Sequence, residues 1–184
     1  MLLKDVSVFC LLLLPALLMG QDDVPFPEKL DATGFREVLA RSGNLYISGQ
    51  PDEASFAKLL KEGVTTVVNL RTQEEMDDRQ RVPFDEKKVV EDLGMKYVHI
   101  PLGGSDHPYV PEALKTFADT LAHAEGKVLL HCTVAWRASQ MFAAYLIADK
   151  NFPPEKAIEY AKAVNFGEMP VEGLLGKKLV IGFK

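Results

Sequence analysis

Two short apolar runs restrict the fold of this chain more than any other feature. Thr65–Leu70 (TTVVNL) and Lys127–His131 (KVLLH) are rich in β-branched or large aliphatic residues. Neither shows the alternation of polar and apolar residues that is typical of a strand with one solvent-exposed face. Such runs are typical of parallel strands that are covered on both faces. Because segments with helical spacing of apolar residues lie between them, the sequence predicts an α/β fold.

The other elements are predicted from apolar spacing and from turn and cap residues. Further strands are expected at Phe35–Leu39, Leu45–Ser48 and Tyr97–Pro101. Helices are expected after Gly49–Asp52, over Asp85–Leu93, Pro111–His123 and Ala138–Ala148, and from Pro153 to Val164. A turn is expected at Ala40–Asn44, and loops at Arg71–Val82 and Leu102–Tyr109. The fold class is therefore α/β, with a mainly parallel four- to five-stranded sheet flanked by helices.

Composition and charge exclude several classes of protein. The chain has 184 residues, of which 47% are hydrophobic and 26% charged, which is typical of one globular domain and not of a disordered chain. Its 21 basic and 26 acidic residues give a net charge of −5. Nucleic-acid binding depends mainly on Lys and Arg contacts to phosphates, so no nucleic-acid partner is expected. A phosphorylated ligand would need a local positive site.

The N-terminus has the pattern of an export signal. An apolar run over Val6–Gly20 follows Lys4 and gives way at once to Gln21 and two aspartates. The run suits a signal peptide and is short for a membrane span, which needs about 20 residues. We therefore expect a signal peptide over residues 1–20, a polar lead-in over 21–34 and a single domain over 35–184. The expected location is periplasmic or secreted, without a membrane span after signal removal, and the alternative is an uncleaved membrane anchor.

A cysteine and an arginine stand five positions apart where a predicted strand passes into a predicted helix. Cys132 follows the strand Lys127–His131, and Arg137 lies at the start of the next helix. Ligands of open α/β sheets bind at the carboxyl ends of the strands. A helix N-terminus favours the ionised thiolate and offers free N–H groups to an anion. Arg137 can hold a phosphate or sulfate through two parallel N–H bonds, so the segment predicts a nucleophile beside an anion site.

The segment His131-Cys132-Thr133-Val134-Ala135-Trp136-Arg137 resembles the active-site loop of cysteine-dependent protein tyrosine and dual-specificity phosphatases. That family usually has five residues between Cys and Arg, whereas this chain has four. The shorter spacing resembles the bacterial branch that includes the beta-lactamase-hydrolase-like phosphatase domains. Leu45–Arg71, with LYISGQP and TTVVNLR, is similar to the opening of that branch. The likeness extends from about Phe35 to Val164 and implies a dual-specificity-phosphatase-like fold.

The resemblance implies roles for the matching residues. Cys132 would attack phosphorus and form a thiophosphate intermediate, while Arg137 would bind the equatorial oxygens as charge develops. The substrate phosphate would be bound by Thr133, Val134, Ala135, Trp136 and Arg137. His131 and Ser139 would brace the loop. Two departures stand out, since Ala135 replaces the usual Gly and Ala138 separates Arg137 from the hydroxyl of Ser139. Trp136 is also unusually bulky.

The family further implies an aspartic acid that protonates the leaving oxygen and then activates water. Asp106 is the only carboxylate between Tyr97 and Tyr109 and is our assignment. The adjacent His107 is the alternative, because imidazole can donate a proton near neutral pH.

Three functions are compatible with this pattern. The first is a phosphatase acting on a phosphorylated protein or a small phosphomonoester. The second is a rhodanese-like sulfurtransferase, and the third is a non-catalytic module that binds phosphate or phosphopeptide. No nucleotide motif is present, and no metal or cofactor is expected, because the histidines lack ligand spacing. These are His99, His107, His123 and His131. The sequence does not predict an oligomeric state.

Overall fold

The computed structural model describes residues 24–167 and 170–179, so the predicted signal peptide lies outside the described residues. The described chain forms a six-stranded sheet in the order β1-β2-β3-β6-β4-β5. Its strands are β1 Glu28–Lys29, β2 Leu39–Ser42, β3 Leu45–Ser48, β4 Val64–Asn69, β5 Lys96–His99 and β6 Lys127–His131. The pairs β3–β6, β6–β4 and β4–β5 are parallel, whereas β1–β2 and β2–β3 are antiparallel. The mainly parallel α/β architecture is therefore confirmed, and β1 adds a short strand at one edge.

Helices cover both faces of this sheet. They are α1 Glu53–Lys61, α2 Gln73–Asp77, α3 Glu86–Asp92, α4 Pro111–Ala122, α5 Trp136–Ala148, α6 Pro154–Lys162 and α7 Val171–Leu175. Helices α1 and α3 contribute to one buried cluster, and α4 to α7 contribute to a larger one on the opposite face. In β6, Leu129 belongs to the smaller cluster and Leu130 to the larger one. Successive side chains point to opposite faces of a strand, which explains why this run has no polar alternation.

Several predicted boundaries differ from the structure. The strand expected at Phe35–Leu39 lies further along the chain, at β2 Leu39–Ser42. It can extend to Ser42 because Gly43 (φ 58°) permits a two-residue turn directly before β3. The predicted loop Arg71–Val82 contains the short helix α2, which begins with a capping box between Thr72 and Glu75. Helix α5 begins two residues earlier than predicted, so Arg137 lies in its first turn. Helix α7 was not predicted.

No helix in residues 24–167 or 170–179 has the length and apolar character that a membrane crossing requires.

Candidate active site

Cys132 lies at the carboxyl end of β6, in the middle of the sheet, and only 1% of its surface is exposed. The residues from Cys132 to Arg137, here called the Cys132 loop, connect β6 to α5. Backbone hydrogen bonds tie this loop to the segment after β3, since Gln50 N donates to the Thr133 carbonyl at 3.0 Å. From the other side, Asn165 donates its Nδ2 to the Val134 carbonyl at 2.6 Å. The loop is therefore braced on both flanks.

The backbone of Ala135 turns the loop into helix α5. Ala135 has φ 62° and ψ 3°, a left-handed conformation, and its side chain is fully buried. An L-residue in this conformation costs roughly 1–2 kcal/mol, which explains why the resembling family prefers Gly here. Helix α5 begins directly after this turn, and the first backbone N–H groups of a helix have no partners within the helix.

The Arg137 guanidinium is held by a carboxylate that the sequence analysis did not identify. Nη1 and Nη2 of Arg137 each donate to one oxygen of Glu75 at 2.7 Å, and Nη1 also donates to the Leu102 carbonyl at 2.7 Å. Nη2 further donates to Thr133 Oγ1 at 3.0 Å. Among the described residues, no acceptor meets Nε of Arg137. Nε is therefore the N–H of the fork that an anion can take directly, whereas Nη2 would have to exchange its bond to Thr133 for one to the anion.

Glu75 connects three parts of the site. Besides Arg137, its carboxylate accepts from the Thr133 hydroxyl at 2.9 Å and from the Thr72 backbone N–H at 2.9 Å. Burial alone would raise the pKa of Glu75, but the hydrogen bonds and the Arg137 charge outweigh it and hold the pKa at about 2. The carboxylate is thus ionised at any physiological pH. The capping-box pattern Thr72-x-x-Glu75 could have indicated α2 in the sequence, but not the contact with Arg137.

A second arginine lies buried behind the first. Arg71 is 1% exposed, donates from Nη1 to Gln50 Oε1 at 2.6 Å and from Nη2 to the Glu75 carbonyl at 3.2 Å. Burial lowers the pKa of Arg71, while the charges of Glu75 and Glu86 act in the opposite direction. Glu75 therefore interacts with both guanidinium groups.

His131 is fully buried and lies 3.0 Å from a carboxylate oxygen of Glu86, measured from Nε2. Glu86 is the first residue of α3 and is itself buried. It was not predicted as a site residue. No sequence signal distinguishes Glu86 from the exposed acidic residues near it along the chain.

The predicted general acid, Asp106, lies on a loop that is more exposed than the Cys132 loop. Residues 102–109 are here called the Asp106 loop. The loop begins at Leu102, which is buried beside Arg137, and residues 104–106 are exposed to solvent. Asp106 is exposed, and its carboxylate accepts from the Ser105 hydroxyl at 3.1 Å. His107 is half-buried, and its carbonyl accepts from Gly103 N at 2.7 Å. The structure shows no hydrogen bond between either side chain and the described residues of the Cys132 loop.

Trp136 and Ser139 face the segment that follows α6. Trp136 is half-buried, and a methyl group on Gly167 would come within 2.3 Å of its indole nitrogen. The Ser139 hydroxyl donates toward the Trp136 carbonyl at 2.8 Å and the Asn165 carbonyl at 2.9 Å. In this structure Ser139 is therefore directed to the backbone that supports the loop, not to the sulfur.

Comparison with a model of the PTP-NADK family, a DSP-PTPase phosphatase fused to NAD⁺ kinase, matches residues 31–173. The chain belongs to the PTP-NADK family. The matched segment contains the Cys132 loop, the Asp106 loop, Glu75 and Glu86.

Relatives and solved structures agree with this assignment. The chain is 34% identical over 99 residues to a beta-lactamase hydrolase-like protein of Agrobacterium fabrum, a match covering 53% of this chain and 22% of that protein. It thus spans about a fifth of that relative. A candidate phosphatase of the DUF442 family from Shewanella putrefaciens CN-32 is 29% identical, with a TM-score of 0.61 over 78% of this chain and 91% of the other. TpbA of P. aeruginosa, solved with phosphotyrosine, shares the fold at 22% identity and a TM-score of 0.56 over 82% and 93% of the two chains.

The PTP-NADK assignment places a phosphatase fold around the geometry described above. Within it, Cys132 supplies a candidate nucleophile and Arg137 a candidate anion ligand at one end of the sheet. Glu75 fixes one edge of the guanidinium, so rotation of the Arg137 fork would break two hydrogen bonds to a carboxylate. Such charge-assisted pairs are about twice as strong as neutral hydrogen bonds, so the fork is preorganised for an anion.

Proposed function

We propose that this protein is a cysteine-dependent phosphatase that hydrolyses phosphomonoesters through Cys132. Its substrates would be phosphotyrosine or other phosphoprotein residues, or small aryl phosphates. One observation carries the proposal. The Cys132 loop joins a buried thiol, the N-terminus of α5 and a guanidinium whose Nε meets no acceptor among the described residues, all within six residues.

The reaction would proceed in two displacements. The Cys132 thiolate attacks phosphorus, so that an S–P bond forms and the P–O bond to the leaving group breaks. The leaving oxygen takes a proton from the general acid, for which Asp106 is our candidate and His107 the alternative. Water then attacks the phosphocysteine, gives its proton to the same residue and releases phosphate and the thiolate.

Arg137 would stabilise the charge that develops on the transferring phosphoryl group. Its Nε and Nη2 edge would bind two equatorial oxygens, and the α5 N–H groups would bind the third. Glu75 would keep the other edge in place in both displacements. Since Thr133 Oγ1 accepts from Nη2 at 3.0 Å, an incoming phosphate oxygen would compete with this hydroxyl for the same proton.

A binding module without turnover is the second candidate. It is favoured by the strained Ala135 turn and by the exposed position of Asp106, which carries no contact to the Cys132 loop. Such a module would bind phosphate groups through the same loop but would not release a leaving group.

The decisive experiment is a fluorogenic aryl-phosphate assay of the purified protein beside Cys132→Ser. We expect metal-independent turnover for the natural chain and none for the variant, because a serine hydroxyl is far less ionised than a thiol. Tungstate binding, measured by calorimetry, should persist in Cys132→Ser. Activity that is lost with EDTA or survives the substitution would refute the mechanism. Tungstate binding without any turnover in the natural chain would support the binding module.

A further inference from the structure

The Glu75 carboxylate accepts four hydrogen bonds, two at each oxygen. Its Oε1 accepts from Arg137 Nη2 at 2.7 Å and from the Thr133 hydroxyl at 2.9 Å. Its Oε2 accepts from Arg137 Nη1 at 2.7 Å and from the Thr72 backbone N–H at 2.9 Å. Because an ionised carboxylate has about four lone-pair sites, Glu75 has no site left for a fifth donor.

A fifth donor nevertheless lies beside this carboxylate. Nε of Arg71 is 3.6 Å from Oε1 of Glu75, which is an ion-pair distance but too long for a hydrogen bond. Among the described residues this Nε has no hydrogen-bond partner, although only 1% of Arg71 is exposed. The other two nitrogens of the guanidinium donate to Gln50 Oε1 and to the Glu75 carbonyl, and so hold the group in place. A buried N–H without a partner costs free energy, so the arrangement favours any change that frees a lone pair on Oε1.

The Thr133 hydroxyl is the donor that can leave Glu75. It is the only hydroxyl group in the Cys132 loop, and it has a single proton, which it gives to Glu75. Its oxygen accepts from Arg137 Nη2 at 3.0 Å, a bond that an incoming anion displaces. The hydroxyl then regains a partner by turning its own proton to the anion. The other three donors are fixed, because one is a backbone N–H of the α2 capping box and two belong to the Arg137 fork.

We propose that Arg71 is a positioning residue, whose Nε–H takes the place of the Thr133 hydroxyl on Glu75 when that hydroxyl turns to a bound anion. The 3.6 Å separation between Nε and Oε1 closes to about 2.9 Å in this exchange. Glu75 keeps four hydrogen bonds and continues to hold the Arg137 fork, while the buried Nε–H gains an acceptor. This inference rests on the anion-binding part of the proposed function, and it applies whether or not the bound phosphate is hydrolysed.

The test is a double-mutant cycle on tungstate binding, measured by calorimetry on the full chain. Arg71→Lys keeps a positive charge but has no donor at the Nε position. In the natural chain it should weaken tungstate binding about tenfold, because one hydrogen bond to a charged group is lost from the bound state alone. In Thr133→Val, Oε1 of Glu75 has a free lone pair before tungstate binds, so Arg71 bonds to it in both states. In that background Arg71→Lys should change the tungstate affinity by less than about twofold.

The Thr133→Val background is the matched control for general damage. A substitution at Arg71 that merely disturbs the fold lowers the tungstate affinity equally in both backgrounds, and equal losses would overturn the inference.

A second measurement needs no variant. In the natural chain, the ¹H–¹⁵N signal of the Arg71 Nε–H, assigned through its own backbone, should move downfield and exchange more slowly with water once tungstate is bound. An unchanged signal, or a chain that binds no tungstate, would refute the role of Arg71. Turnover of an aryl phosphate with an unchanged Arg71 signal would refute the inference and leave the proposed function intact. The expected change without any turnover would support the inference and contradict the phosphatase.

Discussion

Two loops meet at the carboxyl edge of the sheet, and they are built in opposite ways. The Cys132 loop is buried, and its backbone is held by the segment after β3 and by Asn165. The Asp106 loop contacts Arg137 at Leu102, but Asp106 itself is exposed and bonded to its neighbour Ser105. In the proposed function, the first loop would bind the phosphoryl group, which is common to every phosphomonoester. The second would face the leaving group, which differs from one substrate to the next.

The difference indicates which parts of the reaction require preorganisation. A phosphoryl group has a fixed geometry, so donors placed before binding give the largest stabilisation of its transition state. A proton donor needs only to reach the leaving oxygen once the substrate is bound, and catalytic hydrogen bonds are often absent before that. The comparison therefore predicts effects that do not depend on the substrate for the Cys132 loop and effects that do for the Asp106 loop.

The largest effect expected in this comparison is that of Arg137→Lys. Lysine keeps the charge but loses the paired fork and both hydrogen bonds to Glu75. We expect kcat/KM to fall by roughly 10³-fold for every substrate, since an arginine that stabilises phosphoryl transfer is worth about 10³–10⁵. Steady-state kinetics with a series of aryl phosphates of different leaving-group acidity would measure this.

A loss that varies with the leaving group would contradict this interpretation of Arg137. Thermal unfolding provides the control, because Glu75 loses its partner in the variant and a generally destabilised protein would lose activity for another reason. Glu75→Gln should weaken tungstate binding in the same direction as Arg137→Lys, although less strongly.

The Cys132 loop is the part of the candidate site that could be predicted most completely from the sequence. A buried strand, a cysteine and an arginine at a helix start follow from local patterns, and the structure has each of these elements within two residues of the prediction. Ala135 was identified as a departure because it replaces the usual Gly, and the structure gives it φ 62°. These features depend on neighbours along the chain, and periodicity and backbone sterics report on such neighbours.

The two carboxylates that support the loop could not be predicted. Glu75 lies 62 positions from Arg137 and Glu86 lies 45 from His131 along the chain. Both stand in charged segments where exposed acidic residues are the norm. Their burial results from the packing of α2 and α3 against the end of the sheet, which no local pattern encodes. Long-range polar contacts of this kind are therefore the part of the site that the structure adds.

The second prediction concerns the Asp106 loop. Asp106→Asn should slow substrates with poor leaving groups by about 10²-fold or more, because general-acid catalysis typically contributes 10²–10⁴-fold. Activated aryl esters hardly need a proton, so their first chemical step should change little. Single-turnover bursts with matched good and poor leaving groups would separate the two cases.

Equal losses for good and poor leaving groups would remove Asp106 from this role, and His107→Asn would be tested in the same way. If neither variant depends on the leaving group, the acid does not lie on this loop, and the contrast between the two loops would concern their packing alone.

The smallest effect is expected from exchanging alanine and glycine in the two loops. Ala135→Gly relieves a left-handed alanine, a gain of roughly 1–2 kcal/mol, but it loses a buried methyl group worth about 0.8 kcal/mol. We expect the free energy of unfolding to rise by about 1 kcal/mol at most. Gly104→Ala is the matched change, since Gly104 has φ 69° and nothing lies within 4 Å of an added methyl group.

Denaturant unfolding of both variants would sharpen the comparison. In a rigid loop the backbone keeps its conformation, and the left-handed strain appears in full as a change in stability. An exposed loop can shift its backbone, so Gly104→Ala should cost less than the strain that Ala135→Gly relieves, after correction for the methyl group. If Gly104→Ala proved the more costly of the two, the Asp106 loop would be as firmly held as the Cys132 loop. The position of Asp106 in this structure would then have to be its position during catalysis, and its lack of contact with the Cys132 loop would count against it as the general acid.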